Sequence, residues 1–270
     1  MEKTNKSTQI TKLSARKVQW GVKGKKIIKN ISIAITNQEL IGLIGPNGSG
    51  KSSLLRLLYK YYTPKQGGVY IKGRDILSMS QKEVAQNIGV VLQEKEGLND
   101  RTVYDIVLMG RSPHKGIFEK DTKEDQEIVL DALNRVHLTN KENRHFSTLS
   151  GGEKQRVLIA MAIAQETEML ILDEPTNHLD PRYQLEIMNL IKSLNIPTIV
   201  AIHDLNLASM FCDRLILLKD GHIFTEGTPQ KVLTKKNIKD VYDVDVEIQK
   251  TKNNRISVVY LNSHNPPPML

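Results

Sequence analysis

An α/β fold organised around a mainly parallel sheet is predicted by three features of this 270-residue sequence. An apolar run at residues 40–44 leads into a glycine-rich loop and then a helix-like stretch at residues 53–59, giving strand, loop and helix in succession. From residue 169 onward, short apolar runs alternate with segments of helical spacing, the pattern of parallel strands joined by crossover helices. Between these regions, residues 97–165 change character and read as a helical block.

The elements follow in order. Over residues 11–91, β-branched and polar residues alternate, as in Ile31-Ser32-Ile33-Ala34-Ile35-Thr36 and Val69-Tyr70-Ile71, so strands flank the glycine-rich loop. Helical spacing appears over residues 102–109 and 121–136. The second of these opens on acidic residues and closes on Arg135 and His137, as the helix dipole favours. Gly-Pro punctuation from Arg111 through Pro113 to Gly116 separates the two. Strands are then expected at residues 169–172, 198–202 and 214–218, with helices at 182–194 and 205–211. Residues 262–270 include Pro266-Pro267-Pro268 and are expected to be disordered.

Composition narrows the function classes. The longest apolar run, residues 157–164, is eight residues, well short of the roughly 18–20 that span a bilayer. The polar start Met1-Glu2-Lys3-Thr4-Asn5-Lys6 lacks the apolar core of a secretory signal, and the lone Cys212 suits a reducing cytoplasm. A net charge of +8 raises the question of nucleic acid, but its location argues otherwise. Nine Lys/Arg stand against Glu2 alone in the first thirty residues, while the other 240 residues carry 29 of each sign. Two readings of that segment stand: a solvated basic edge, or a segment lying near anionic lipid head groups or nucleotide phosphates.

The glycine-rich loop Gly45-Pro46-Asn47-Gly48-Ser49-Gly50-Lys51-Ser52, followed by Ser53, fits a P-loop. Its backbone N–H groups would crowd around phosphate oxygens, Lys51 would reach the β- and γ-phosphates, and the Ser52 hydroxyl would hold Mg²⁺. A hundred residues later comes Leu149-Ser150-Gly151-Gly152-Glu153, then Gln155-Arg156. Gln93 ends the apolar run 88–92, Asp173-Glu174-Pro175 ends the run 169–172, Leu179-Asp180 follows, and His203-Asp204 ends the run 198–202.

These motifs, in this order, resemble those of the ATP-binding cassette (ABC) ATPases over roughly residues 10–250. The resemblance implies a P-loop NTPase with a RecA-like core, an antiparallel β subdomain and a helical subdomain at about 97–165. The domain would run over residues 8–250, with 251–270 as a C-terminal tail. Asp173 would hold Mg²⁺, Glu174 would act as general base on the attacking water, and His203 would sense the γ-phosphate. Gln93 would contact Mg²⁺ or the lytic water. Trp20 sits where the family places an adenine-stacking aromatic, though it could equally anchor a core. Ser150, Gly151 and Gly152 open a helix as N-cap and first turn, and in the family this site meets the γ-phosphate bound by a second copy, with Asp180 crossing the same interface. Ser52 replaces the more frequent Thr and keeps the hydroxyl; Glu153 stands where Gln is common.

Three narrower stretches resemble the ATPase subunits of importers for iron-siderophore, haem and cobalamin: Asp105 through His114, Ala201 through Ala208, and Gly227-Thr228-Pro229 through Val244. That resemblance implies an ATP-hydrolysing homodimer on the cytoplasmic face of the membrane, beneath two permease subunits and supplied by an extracytoplasmic binding protein. The region from Gln93 to Arg111 would receive a permease helix. A nucleic-acid-acting member would carry a coiled-coil insertion or a second cassette; neither is in this sequence. A cytosolic ATPase of the cluster-assembly type remains the alternative.

Overall fold

The computed structural model describes residues 11–36, 38–92, 97–116, 119–250 and 255–261. β1 (Thr11–Val22) and β2 (Lys25–Thr36) form a hairpin, and β3 (Leu40–Ile44) leads into α1 (Lys51–Leu58). β4 (Gln66–Ile71), β5 (Arg74–Asp75) and α2 (Gln81–Ala85) bring the chain to β6 (Ile88–Val91). The helical block holds α3 (Val103–Leu108), α4 (Lys123–Arg135) and α5 (Gly151–Ala164). β7 (Met169–Asp173), α6 (Pro181–Ser193), β8 (Thr198–Ala201), α7 (Leu205–Phe211) and β9 (Arg214–Lys219) alternate after it. The chain closes with β10 (His222–Gly227), α8 (Pro229–Val232), α9 (Lys235–Tyr242), β11 (Val246–Lys250) and β12 (Ile256–Tyr260).

The central sheet runs β10-β9-β3-β8-β7-β6. All its pairings are parallel except β9 with β10. The second sheet, β2-β1-β4-β5, is antiparallel throughout. β3, β7 and β8 are buried along their whole length because both faces of the sheet are covered. Strand alternation sends Ile41, Leu43, Ile171 and Ile199 into one core with α1 and the antiparallel sheet. Ile44, Leu170, Leu172 and Val200 point into the other, with α5, α6 and α7.

The helical block is built on caps written in its sequence. The side chains of Thr102, Thr122 and Ser150 each accept from the N–H three residues on, and their own backbone N–H groups donate in return to the carboxylates of Asp105, Asp125 and Glu153. Arg111 ties the block together: its Nε donates to Asp125 Oδ1 at 2.9 Å and its Nη1 to the Ala164 carbonyl at 2.8 Å. Burial alone would raise the Asp125 pKa, but hydrogen bonds from Thr122, Arg111 and Lys115 hold it well below the usual carboxylate range.

One boundary needs correction. The domain edge expected after residue 250 divides a hairpin, since β11 and β12 pair from Val246↔Tyr260 to Lys250↔Ile256. Ile256 and Val258 are buried in the main core, so the chain through Tyr260 belongs to the folded unit. The disorder expected at residues 262–270 lies outside the described residues.

Candidate functional site

Adjacent parallel strands deliver the predicted residues to one edge. The loop at 45–52 leaves the carboxyl end of β3, Asp173 and Glu174 end β7, and His203 follows β8. The carboxyl edge of an open parallel sheet is where ligands bind in such folds. Gln93 follows β6 but lies outside the described residues.

Within the loop, Gly45 (φ 150°) and Gly50 (φ 106°) hold conformations that favour glycine. A Cβ on Gly45 would stand 2.5 Å from the Leu218 carbonyl oxygen, and one on Gly50 would stand 2.8 Å from Ile28 Cδ1. Lys51 opens α1 and is only 5% exposed. Its Nζ donates to the Gly45 carbonyl at 2.8 Å and to the Pro46 carbonyl at 3.3 Å. Burial lowers its pKa, against the pull of the Glu174 and Asp173 carboxylates. Beside the loop opens a cleft of about 470 Å³, lined by Gly48, Gly50, Lys51, Ser52, Ser53, Asp220 and by Lys25, Lys26 and Lys29 of the β1–β2 hairpin. Three lysines of the basic N-terminal segment thus share one cleft with the 45–52 loop.

Ser52 Oγ donates to Asp173 Oδ1 at 3.1 Å, joining loop to strand end. Burial raises the Asp173 pKa, with the Glu174 charge adding to the rise and the Ser52 hydrogen bond opposing it. A hydroxyl beside a carboxylate offers the oxygen ligands that suit Mg²⁺. Glu174 takes a left-handed conformation (φ 54°), which turns the chain sharply as β7 ends. One of its carboxylate oxygens pairs with His203 Nε2, and the other accepts from Asn177 Nδ2 at 3.2 Å. Asn177 was not among the predicted residues; its only sequence signal is its place three residues after Glu174.

The remaining candidates stand apart. Ser150, Gly151 and Gly152 open α5 beside Leu179 and Tyr183 and do not line the phosphate-loop cleft. Asp180 is exposed at the start of α6, and its side chain makes no capping bond. Trp20 stacks on Tyr62 with ring centroids 4.0 Å apart and planes 15° apart, half-buried against the core and away from the cleft lining. Pro46 and Asn47 complete the loop between β3 and Gly48, Asn47 exposed at its tip. Among the described residues, no helix is long and apolar enough to cross a membrane.

Comparison with known proteins agrees with this geometry. Residues 28–177 match the ABC transporter family. The petrobactin import ATP-binding protein of Bacillus anthracis is 38% identical over 240 residues, covering 87% of this chain and 88% of that one. The iron(3+)-hydroxamate import ATP-binding protein of Bacillus subtilis is 38% identical over 243 residues, covering 88% and 90%. The ferric enterobactin transport ATP-binding protein of Escherichia coli is 37% identical over 237 residues, covering 86% and 88%. Among solved structures, a transporter assigned to the metal-chelate type, in an inward-facing conformation, superposes with a TM-score of 0.82 at 28% identity, covering 94% of this chain and 98% of that one. A dimeric cassette bound to ADP and Pi superposes with a TM-score of 0.69 at 29% identity, covering 80% and 98%. By family match and by extended identity to these relatives, the chain is a member of the ABC transporter family and one of its ATP-binding ATPases.

Proposed function

We propose that this chain is the ATP-hydrolysing subunit of an importer for a ferric-siderophore or related metal chelate. Two copies would work on the cytoplasmic face of the membrane beneath two permease subunits, with an extracytoplasmic binding protein delivering cargo. The observation that carries the ATPase chemistry is the linked set Lys51–Ser52–Asp173–Glu174–His203 at one sheet edge. The importer assignment is supported by relatives named for three different ferric chelates. Their shared feature is the metal chelate, so that is the cargo class proposed.

In this reading the loop amides and Lys51 would hold the β- and γ-phosphates, and Ser52 and Asp173 would hold Mg²⁺, which would offset charge developing on the phosphate oxygens. Glu174 accepts a proton as water oxygen attacks the γ-phosphorus and the bond to the β-bridging oxygen breaks, giving ADP and phosphate. Asn177 and His203 keep that carboxylate in place, and His203 would also donate to the γ-phosphate. By its place in the family's motif order Gln93 would contact the lytic water or Mg²⁺, and Trp20 would stack on adenine. Ser150, Gly151 and Gly152 of the second copy close over the γ-phosphate, with Asp180 crossing beside them. Their distance from the cleft within one chain is what a head-to-tail pair requires.

Tagged protein captured from detergent-solubilised native membranes tests the proposal by what travels with it in mass spectrometry. A polytopic permease of the siderophore, haem or cobalamin type is expected. Soluble partners alone, in a preparation that retains ATPase activity, would overturn the importer assignment in favour of a cytosolic mechanochemical role.

A further inference from the structure

Backbone conformation does not explain the two glycines that open α5, since Gly151 and Gly152 both lie outside the left-handed region. Their surroundings explain one of them. A Cβ built on Gly152 would lie 2.9 Å from Tyr183 Cδ1 and 3.2 Å from Tyr183 Cγ, inside the roughly 3.5–4.0 Å at which carbon atoms pack. A Cβ on Gly151 would meet only Leu179 Cδ2, at 3.4 Å. Gly152 is therefore buried against the Tyr183 ring, while Ser150 and Gly151 remain exposed. The ring supports the turn from within its own chain.

Tyr183 is itself held. It lies in the first turn of α6, where Pro181 takes the first position and the Gln184 amide donates to the Asp180 carbonyl at 3.0 Å. Gln184 Nε2 donates to the Thr176 carbonyl at 3.3 Å, which ties that turn to the segment following Glu174. Further along both helices, Arg156 Nη2 donates to Glu186 Oε2 at 2.8 Å, and Arg182 Nε donates to the other Glu186 oxygen at 2.9 Å. A charged contact at 156–186 and an aromatic one at 152–183 thus join α5 to α6. Only the aromatic contact touches the turn that carries Ser150. Tyr183 is 37% exposed and belongs to neither apolar core, so its ring is not needed to fill the interior.

We propose that Tyr183 is a positioning residue for the nucleotide bound by the second copy: its ring fixes the 150–152 turn, so that the Ser150 hydroxyl and the turn's amides are already aimed when they close on the γ-phosphate. This rests on the two-copy reading above. Donors ordered in advance bind better than donors that must be ordered at closure.

The test uses Glu174→Gln protein, in which ATP persists, and sedimentation velocity in Mg-ATP to obtain the dimer dissociation constant. Tyr183→Ala is expected to raise that constant about 10-fold, since each dimer holds two such turns, and Tyr183→Phe, which keeps Cγ and Cδ1, to leave it unchanged. ADP affinity, read by calorimetry, is expected to stay the same in both, because the phosphate-loop cleft of one chain does not include the 150–152 turn. Gly152→Ala drives a methyl group into the ring and should weaken the dimer as well. Combined with Tyr183→Ala, it should cost less than the two separate losses together. An unchanged dimer constant in Tyr183→Ala overturns the inference, as does a Phe variant as weak as the Ala one. Additive losses also overturn it, marking a ring that merely contacts the second copy, and so does a fall in ADP affinity, marking a general structural fault. Failure of the Glu174→Gln parent to dimerise at all would sink the two-copy reading, and this inference with it.

Discussion

Glu174 is held at both oxygens, by His203 and Asn177, in a backbone conformation that side chains seldom adopt. Such an arrangement fixes the carboxylate and suits the base role proposed for it. Glu174→Gln keeps the shape and removes proton acceptance, so steady-state ATP turnover should fall by about 10²- to 10⁴-fold while ATP still binds. Undiminished turnover would refute the base assignment. Lys51→Ala removes the buried ammonium beside the loop carbonyls, and a direct binding titration should show weakened ATP affinity; an unchanged Kd would remove its phosphate role. That Asp173, Glu174 and His203 come to the same sheet edge as the 45–52 loop was legible from the sequence, because each stands at the end of an apolar run and the loop follows another. Asn177 was not, since its significance depends on the hydrogen bond to Glu174 that only the fold makes.

At the scale of elements, the Ser150 cap of α5 was read from the sequence, while the caps Thr102 of α3 and Thr122 of α4 came only with the structure. The buried pair behind them was not legible either, because Arg111 and Asp125 meet only when the block folds. Arg111→Ala would leave the Asp125 carboxylate buried with fewer partners, so urea denaturation should show a loss of about 3 kcal/mol. A loss under about 1 kcal/mol would mean that Lys115 suffices. Glu153 supplies a pH test. Hydrogen bonds from Lys141 and then Ser150 lower its pKa from 4.5 to about 2. The folded value lies below the unfolded one, so its stabilisation is complete above about pH 4.5 and is lost as pH falls toward about 2. Amide protection in the first turn of α5 should decline through that window and lose its pH dependence in Glu153→Gln; a Gln variant that declines equally would contradict the assignment. The β11–β12 hairpin was missed because the polar stretch 251–254 reads as the start of a tail, while burial of Ile256 and Val258 depends on α7.

For the whole molecule, the charge that composition placed in the first thirty residues acquires a direction, since Lys25, Lys26 and Lys29 line the phosphate-loop cleft. Raising salt from about 0.1 M to about 1 M shortens the screening length from about 10 Å to about 3 Å. The KM for ATP should rise accordingly, and less steeply in a Lys25→Gln/Lys26→Gln variant; equal slopes would leave those lysines as a solvated edge. On the proposed function a complete site needs two copies, because Ser150, Gly151 and Gly152 lie outside the cleft lined by Lys51 and Ser52. Sedimentation velocity of Glu174→Gln with and without Mg-ATP tests it most directly. Conversion from monomer to dimer on adding Mg-ATP, abolished by Ser150→Arg, is the predicted result; a chain that stays monomeric at saturating Mg-ATP would contradict it.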